Sequence, residues 1–279
     1  MTGNVGTGCA GERAGGGEGS KQDVCDWNPE SPLPDKYETG EKLGIRNESP
    51  LPDYFMELIK AGKTKDVYKS PDGSIVLKFK DSVTGHPDGE SDPGGNVVIG
   101  SVDGVASGAL KMSAYYFELL KKHKINMHYL KSDLGKNEMT VRCAQLFGGG
   151  LEFVLRYKAA GSFVRRFGSY CKDGDELNKI FEVTLKDDSR DDPPATQEIL
   201  TELALLTPAQ YDKIHSDTIK ICDIIRDDLK SRNLELIDIK IEFGMVDGEI
   251  ALIDEISPGN MRVFKDGKKL DYLTLSSFF

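Results

Sequence analysis

The chain reads as an α+β protein of two lobes, a small antiparallel β-rich N-terminal one and a larger α+β C-terminal one. Three observations predict this. Short β-patterned segments come first, between about residues 54 and 80; helices then alternate with strands; and 234–243 with 249–256 make an apolar hairpin near the C-terminal end. Strands first, then strands mixed with helices, is the order of an α+β chain. At 279 residues there is room for two modest units and a real core. The divisions expected are an extension over 1–53, an N-terminal lobe over 54–150 and a C-terminal lobe over 151–279.

Each element has its own reason. Residues 1–20 are glycine-rich and are expected to be disordered. Glu30–Asp35 and Glu48–Asp53 repeat the hexapeptide ESPLPD, each followed closely by a tyrosine, Tyr37 and Tyr54. The repeat reads as a duplicated extended linker, with a docking motif or a strap over the folded part as the alternative. Lys65–Tyr68 and Ser74–Lys80 are strands flanking Ser70-Pro71-Asp72-Gly73, a good hairpin turn. Residues 81–100, rich in Gly, Asp and Pro, are expected to form a mobile loop. A helix is predicted from Gly108 to Lys124, with Leu110, Ala114, Phe117 and Leu120 on one face and lysines in the last turn. Glu152–Tyr157 reads as an apolar strand. Pro208 opens a second long helix, to about Arg232, with Tyr211, Ile214, Ile221, Ile225 and Leu229 at helical spacing.

Composition excludes several function classes. Net charge is −10, from 36 basic and 46 acidic side chains. Nucleic-acid and membrane binding need basic surface, so neither is expected. The five cysteines are odd in number and form no CxxC pair, which argues against a disulfide framework or a zinc site and for a reducing cytoplasm. The start lacks an apolar signal region, and no stretch reaches membrane-spanning length. The four histidines show no metal-ligand spacing and read as surface or partly packed side chains.

Four segments could carry chemistry. In Gly62-Lys63-Thr64-Lys65, a glycine permits close approach to a phosphate and alternate lysines on an extended segment point one way. Two ammonium groups there can neutralise a triphosphate; they can equally be solvated strand lysines. Arg156-Tyr157-Lys158-Ala159-Ala160-Gly161-Ser162, followed by Arg165 and Arg166, offers small residues and forked guanidiniums for a phosphate or carboxylate, or else tight packing with exposed arginines. The run Lys186–Asp192 is a solvated loop, or a set of carboxylates for Mg²⁺ or an amine.

The fourth segment is the most informative. Along 236–244, Ile237, Ile239, Ile241 and Phe243 point one way and Asp238, Lys240 and Glu242 the other. The return strand is apolar until Asp254-Glu255, so its acidic end is expected in a cleft, since charges are seldom buried unless paired or bound to metal. Ser257–Arg262 then delivers an arginine beside these carboxylates, giving the makings of a magnesium–nucleotide site.

Taken together, GKTKDVY, FKDSVTG, KMSAYYFELL, RYKAAGSFVRRFG, LKDD–DP, DIKIEFG and DEISP–MR resemble the SAICAR synthetase family, over about Ala61 to Phe264. The resemblance implies ATP in a cleft between the lobes and an amide-forming ligase. Its substrates would be L-aspartate and 5-amino-1-(5-phospho-ribosyl)imidazole-4-carboxylate; its cofactors would be ATP and Mg²⁺. It implies small-molecule partners and leaves room for a homo-oligomer. Lys63, Lys65, Glu242 and Asp254 then look like the nucleotide-facing residues, Glu242 and Asp254 facing magnesium. Lys240, Asp192 and Lys186 look catalytic, and Arg156, Ser162 and Arg262 substrate-binding, with Asp192 at a position that also holds substrate. Departures at Ala195-Thr196-Gln197 and Ser257-Pro258-Gly259, and the missing C-terminal segment, keep a paralogue acting on another heterocyclic carboxylate or amine as the alternative. A nucleotide-binding pseudoenzyme is the reading from a different class.

The hairpin permits a geometric expectation. Glu242 and Asp254 can share an ion only on one face. A two-residue turn at Asp247-Gly248 would pair Glu242 with Ile253 and turn Asp254 away. A three-residue connection, Val246-Asp247-Gly248, would pair Lys240 with Asp254 and make the carboxylates diagonal neighbours. The odd-length loop is therefore expected, with Gly248 at positive φ.

Overall fold

The computed structural model of the chain describes residues 56–279 apart from positions 87, 88, 90, 94 and 96. The glycine-rich start, the repeated hexapeptide and the boundary at residue 53 lie outside the described residues.

The first sheet is antiparallel throughout. Strands β1 (Glu57–Ala61), β2 (Lys65–Lys69), β3 (Ile75–Phe79), β6 (Tyr129–Asp133) and β7 (Glu138–Val141) pair in the order β1-β2-β3-β7-β6. The turn between β2 and β3 contains Gly73 at φ 82, a conformation that glycine adopts without penalty. Helix α1 (Val105–Lys122) buries Leu110, Met112, Tyr116, Phe117 and Leu120 against this sheet and its neighbours. It begins before Gly108, because the Asp81 carboxylate accepts a hydrogen bond (2.8 Å) from the Ala106 N–H. That cap comes from 25 positions upstream, where no local pattern reveals it.

Residues 81–100 are not simply a loop. β4 (Ser82–Gly85) and β5 (Val97–Ser101) pair as a two-stranded ribbon. Their β-branched residues suit a pleated surface, and Val83 and Thr84 are buried.

The second sheet holds β10 (Glu176–Leu185), β9 (Leu151–Lys158), β11 (Glu235–Val246), β13 (Met261–Lys265) and β14 (Lys268–Lys269) in that order, with β8 (Gln145–Leu146) and β12 (Glu249–Ile253) also on β11. Ile239, Ile241, Phe243, Phe153 and Leu155 fill its apolar face. Helix α4 (Pro208–Ser231) covers β11 and β9 with Ile214, Ile221, Ile225 and Leu229, each fully buried and worth about 1.5–3 kcal/mol. Its start is local chemistry: Thr207 and Gln210 form a reciprocal capping box, with Pro208 in the first turn. Short helices α2 (Ser162–Phe167), α3 (Gln197–Glu202) and α5 (Tyr272–Ser276) complete the fold.

Two expectations are corrected. The β11–β12 hairpin pairs Val246 with Glu249 and Glu242 with Ile253, so the connection is the two-residue turn Asp247-Gly248, not the three-residue one. Both turn residues have positive φ, 52° and 81°, as a type I′ turn requires, and Asp-Gly is a preferred sequence for it because its twist matches that of the strands. Cys143 is disulfide-bonded, whereas Cys171 and the buried Cys222 are free thiols. The sequence argument against disulfides therefore fails at Cys143.

Candidate functional site

The polar face of the second sheet is the floor of the site. Register aligns β11 with β9: Asp238 lies opposite Arg156, Lys240 opposite Val154 and Glu242 opposite Glu152. On the other flank of β9, Thr184 lies opposite Glu152 and Glu182 opposite Val154. β13 adds Arg262 opposite Asp238. A period-2 pattern on each strand thus becomes a two-dimensional array of charge, while the alternate residues fill the core.

Two cavities open on this floor. One, of about 370 Å³, is lined by Gly62, Lys63, Thr64 and Lys65 from the β1–β2 turn, and by Lys186, Glu242 and Asp254 from below. The other, of about 380 Å³, is lined by Arg156, Ser162, Arg165, Asp192, Asp238 and Arg262. Lys240, Glu152 and Asn260 line both, so the cavities meet at the Lys240–Glu152 pair, whose nitrogen and oxygen are 2.6 Å apart.

The first cavity is built from lysine–carboxylate pairs. Lys65 Nζ is 2.9 Å from both Asp254 Oδ1 and Glu255 Oε1, and Lys186 Nζ is 2.6 Å from Glu242 Oε1. Lys63, on the half-buried β1–β2 turn, reaches Asp188 at 2.8 Å. Burial works against the Lys65 ammonium, but Asp254 and Glu255 outweigh it and raise its pKa above the ordinary lysine value. Burial likewise opposes the charges on Lys186 and Lys240; Glu242 and Asp254 prevail at the first, Glu152 and Glu242 at the second. The two carboxylates diverge. Burial pushes Glu242 above the usual range, with Lys186 opposing and Asp254 adding to the rise. At Asp254 burial also acts upward, but Lys65, backed by Lys186 and Lys240, holds it far below.

Glu242 and Asp254 face the same cavity despite the two-residue turn. β12 ends at Ile253, and Asp254 takes a left-handed φ of 65° that breaks the alternation and swings its carboxylate back. The donor set fits magnesium bound together with a nucleotide. Mg²⁺ is commonly held by one or two carboxylates plus substrate phosphates, and the described residues contain no cluster of three or more acidic, His or Cys side chains that would make an all-protein cage.

The second cavity is an arginine network. The Asp238 Oδ2 accepts from Arg156 Nη1 at 2.6 Å and from Arg262 Nη1 at 2.7 Å. Arg262 also donates through Nε and Nη2 to the two oxygens of Asp92, at 2.9 and 2.7 Å. Arg156 pairs with Glu182 and donates to Ser162 Oγ at 3.0 Å. Asp192, at φ 46°, accepts from the Asp187 N–H at 2.8 Å. The acidic run does not converge on one point: Asp187 is held by Ser189 and Arg190, and Asp188 by Lys63.

Sequence reasoning missed several members of this array. Glu152 sits two and four positions before Val154 and Arg156 on one face of an apolar strand, and that spacing was the available signal. Asp92 comes from an irregular segment and carried none, whereas Asn260 ends a 3₁₀ turn that Ser257 caps, a signal for the turn and not for the cavity. His128 is buried rather than at the surface: its Nε2 is 3.0 Å from the Asp254 carbonyl, and burial pushes its pKa down to about 4, leaving the ring neutral.

Comparison with known proteins points to one family. The family model described as SAICAR synthetase matches residues 58–272. A phosphoribosylaminoimidazole-succinocarboxamide synthase of Clostridium tetani is 47% identical over 222 residues, which cover 79% of this chain and 97% of that protein. A solved SAICAR synthetase superposes with a TM-score of 0.65 at 33% identity, over 75% of this chain and 86% of its own. Another, solved in complex with ADP, gives a TM-score of 0.68 at 28% identity, over 76% and 87%.

Proposed function

The chain belongs to the SAICAR synthetase family, and we propose that it is the ATP-dependent ligase that joins 5-amino-1-(5-phospho-ribosyl)imidazole-4-carboxylate to L-aspartate, giving SAICAR, ADP and phosphate in de novo purine biosynthesis. The observation that carries this reading is the meeting of a lysine-lined cavity and an arginine-lined cavity at Lys240. A phosphoryl group entering from one side and a carboxylate entering from the other come together there.

A carboxylate is a poor acyl donor because its oxygen leaves poorly. Transfer of the γ-phosphoryl group of ATP to a carboxylate oxygen gives an acyl phosphate and ADP. The aspartate amine then attacks the acyl carbon, loses a proton and expels phosphate. Phosphoryl transfer is mainly positioning and charge neutralisation, so it needs cations where charge develops. In this reading Lys63 and Lys65 meet the nucleotide phosphates. Lys240, at the junction, and Lys186, beside it, neutralise the group in transit. Arg156, Ser162 and Arg262 hold the ribonucleotide or the amino acid, and Asp192, on the rim of that cavity, orients them. Glu242 and Asp254 would hold Mg²⁺, which when bound neutralises phosphate charge.

The test is ADP release by the purified protein with ATP, aspartate and the imidazole carboxylate supplied together and separately. Release that requires both, with a product of the mass of SAICAR, supports the reading. Full activity with another amine and none with aspartate would replace it with a paralogous ligase.

A further inference from the structure

The cleft-facing orientation of Asp254 depends on a break in the strand's backbone. With Glu242 opposite Ile253, an unbroken strand would send the next side chain to the far face. Asp254 instead turns left-handed at φ 65°, a conformation that aspartate visits as a single residue but that its neighbours in a strand do not impose.

The group in contact is His128. Its ring is buried beside Phe117, with centroids 5.7 Å apart, and its Nε2 lies 3.0 Å from the Asp254 carbonyl oxygen. A carbonyl can only accept, so Nε2 carries the proton. The backbone around the ring is fixed in turn. The His128 N–H donates to the Leu252 carbonyl, and the Leu252 N–H donates to the Asn126 carbonyl, both at 2.9 Å. Residues 126–128 lead into the first sheet, whereas Leu252 is on β12 of the second. The donor therefore reaches across from one sheet to pin the residue at which the other sheet's strand breaks. On the far side of that residue, the Asp254 carboxylate meets Lys65 at 2.9 Å.

We infer that His128 is a positioning residue for nucleotide binding: its Nε2–H holds the Asp254 carbonyl in the left-handed turn that aims the carboxylate at the lysine-lined cavity. The inference rests on the reading of Asp254 as a magnesium- and nucleotide-facing carboxylate. It assigns His128 no contact with substrate.

Two variants and one binding measurement test it. His128→Phe keeps a ring against Phe117 and removes the donor; His128→Gln keeps an N–H donor. Titration calorimetry of the full chain with ADP, with excess magnesium and with EDTA, is the readout. His128→Phe is expected to weaken ADP binding in magnesium by about tenfold, the scale of one lost hydrogen bond, and in EDTA by less than about twofold. His128→Gln is expected to recover most of the loss, with thermal unfolding midpoints of both variants close to that of the unaltered chain. Unaltered magnesium-dependent affinity in His128→Phe overturns the inference, as does an equal loss with and without magnesium. Should His128→Phe fail to fold, His128→Gln decides: retained magnesium-dependent affinity supports the role and its loss overturns it. Unaltered protein that binds ADP with magnesium but releases none from ATP with the two substrates would defeat the proposed reaction and leave this inference standing.

Discussion

The two cavities use opposite means to hold charge, and the contrast separates recognition from transfer. In the lysine-lined cavity each ammonium sits at the end of a flexible stem, against one or two carboxylates. A lysine is a compact point charge that can follow a phosphoryl group as its charge redistributes. In the arginine-lined cavity, Arg156 and Arg262 share the same Asp238 oxygen, and Arg262 is gripped on its other edge by Asp92. Planar, multiply bonded guanidiniums do not follow anything; they present a fixed pattern of donors. The arrangement places adaptable charge beside the nucleotide and fixed charge beside the groups that must be told apart.

Removing the shared acceptor tests the rigid half and has the largest expected effect. Asp238→Ala would take the shared acceptor from two buried guanidiniums, leaving Arg156 to Glu182 and Arg262 to Asp92, and the loss is expected at about 3 kcal/mol, the lower end for a broken buried ion pair. Urea unfolding measures it. A loss below about 1 kcal/mol would mean that the network is no more rigid than surface pairs, and the contrast would break.

The adaptable half should respond in activity rather than stability. Glu242→Gln is expected to lower magnesium-dependent ADP formation by two to three orders of magnitude, about 3–4 kcal/mol, the scale seen when a charge-stabilising group is removed. The fold should persist, because burial already disfavours the Glu242 charge and the Lys186 side chain, 38% exposed, can turn to water. Normal turnover in this variant would remove Glu242 from the nucleotide site; a collapsed fold would place it in the rigid class instead.

A smaller effect sharpens the comparison through pH. Burial acts to raise the Asp92 pKa, but Arg262, with Lys269 and His86 adding, outweighs it and holds the carboxyl below the ordinary 3.8. Between the lowered folded value and 3.8 the unfolded chain binds the proton more readily. The stabilisation is therefore complete above that window and is lost as pH falls through it. Asp92→Asn is expected to cost about 1.5 kcal/mol near neutral pH, as for a hydrogen bond to a charged group. Its difference from the unaltered chain should close on acidification. A constant difference across that window would show that Asp92 acts through shape and not through its charge.

Much of this molecule is legible along the chain because its signals are local. Alternation over 236–243 assigns Asp238, Lys240 and Glu242 to one face whatever the strand pairs with. Thr207-Pro208 with Gln210 announces α4 within four residues. Other elements carried weaker signals. β10 buries only Val183 fully and mixes charged with apolar residues, so its apolar signal is weak, and α1 is capped by a carboxylate from β4's approach.

The hairpin at 235–253 shows where the boundary lies. Residue order alone assigns the strands and the positive φ of Gly248, whereas the connection expected from a shared ion, Val246-Asp247-Gly248, is one residue longer than the Asp-Gly turn that forms. The sequence also gathers lysines and carboxylates into segments that must face a cleft. Residue order does not decide that Glu242 and Asp254 meet. The two-residue turn that forms sends them apart, and they converge because Asp254 leaves the strand in a left-handed conformation, with its carbonyl against His128, which leads into the other sheet. Aspartate can adopt that conformation as well as the extended one, and contacts from distant parts of the chain select it here. Such contacts exist only after the two sheets have packed, which is why the tertiary structure, and not the local pattern, sets the geometry of the site.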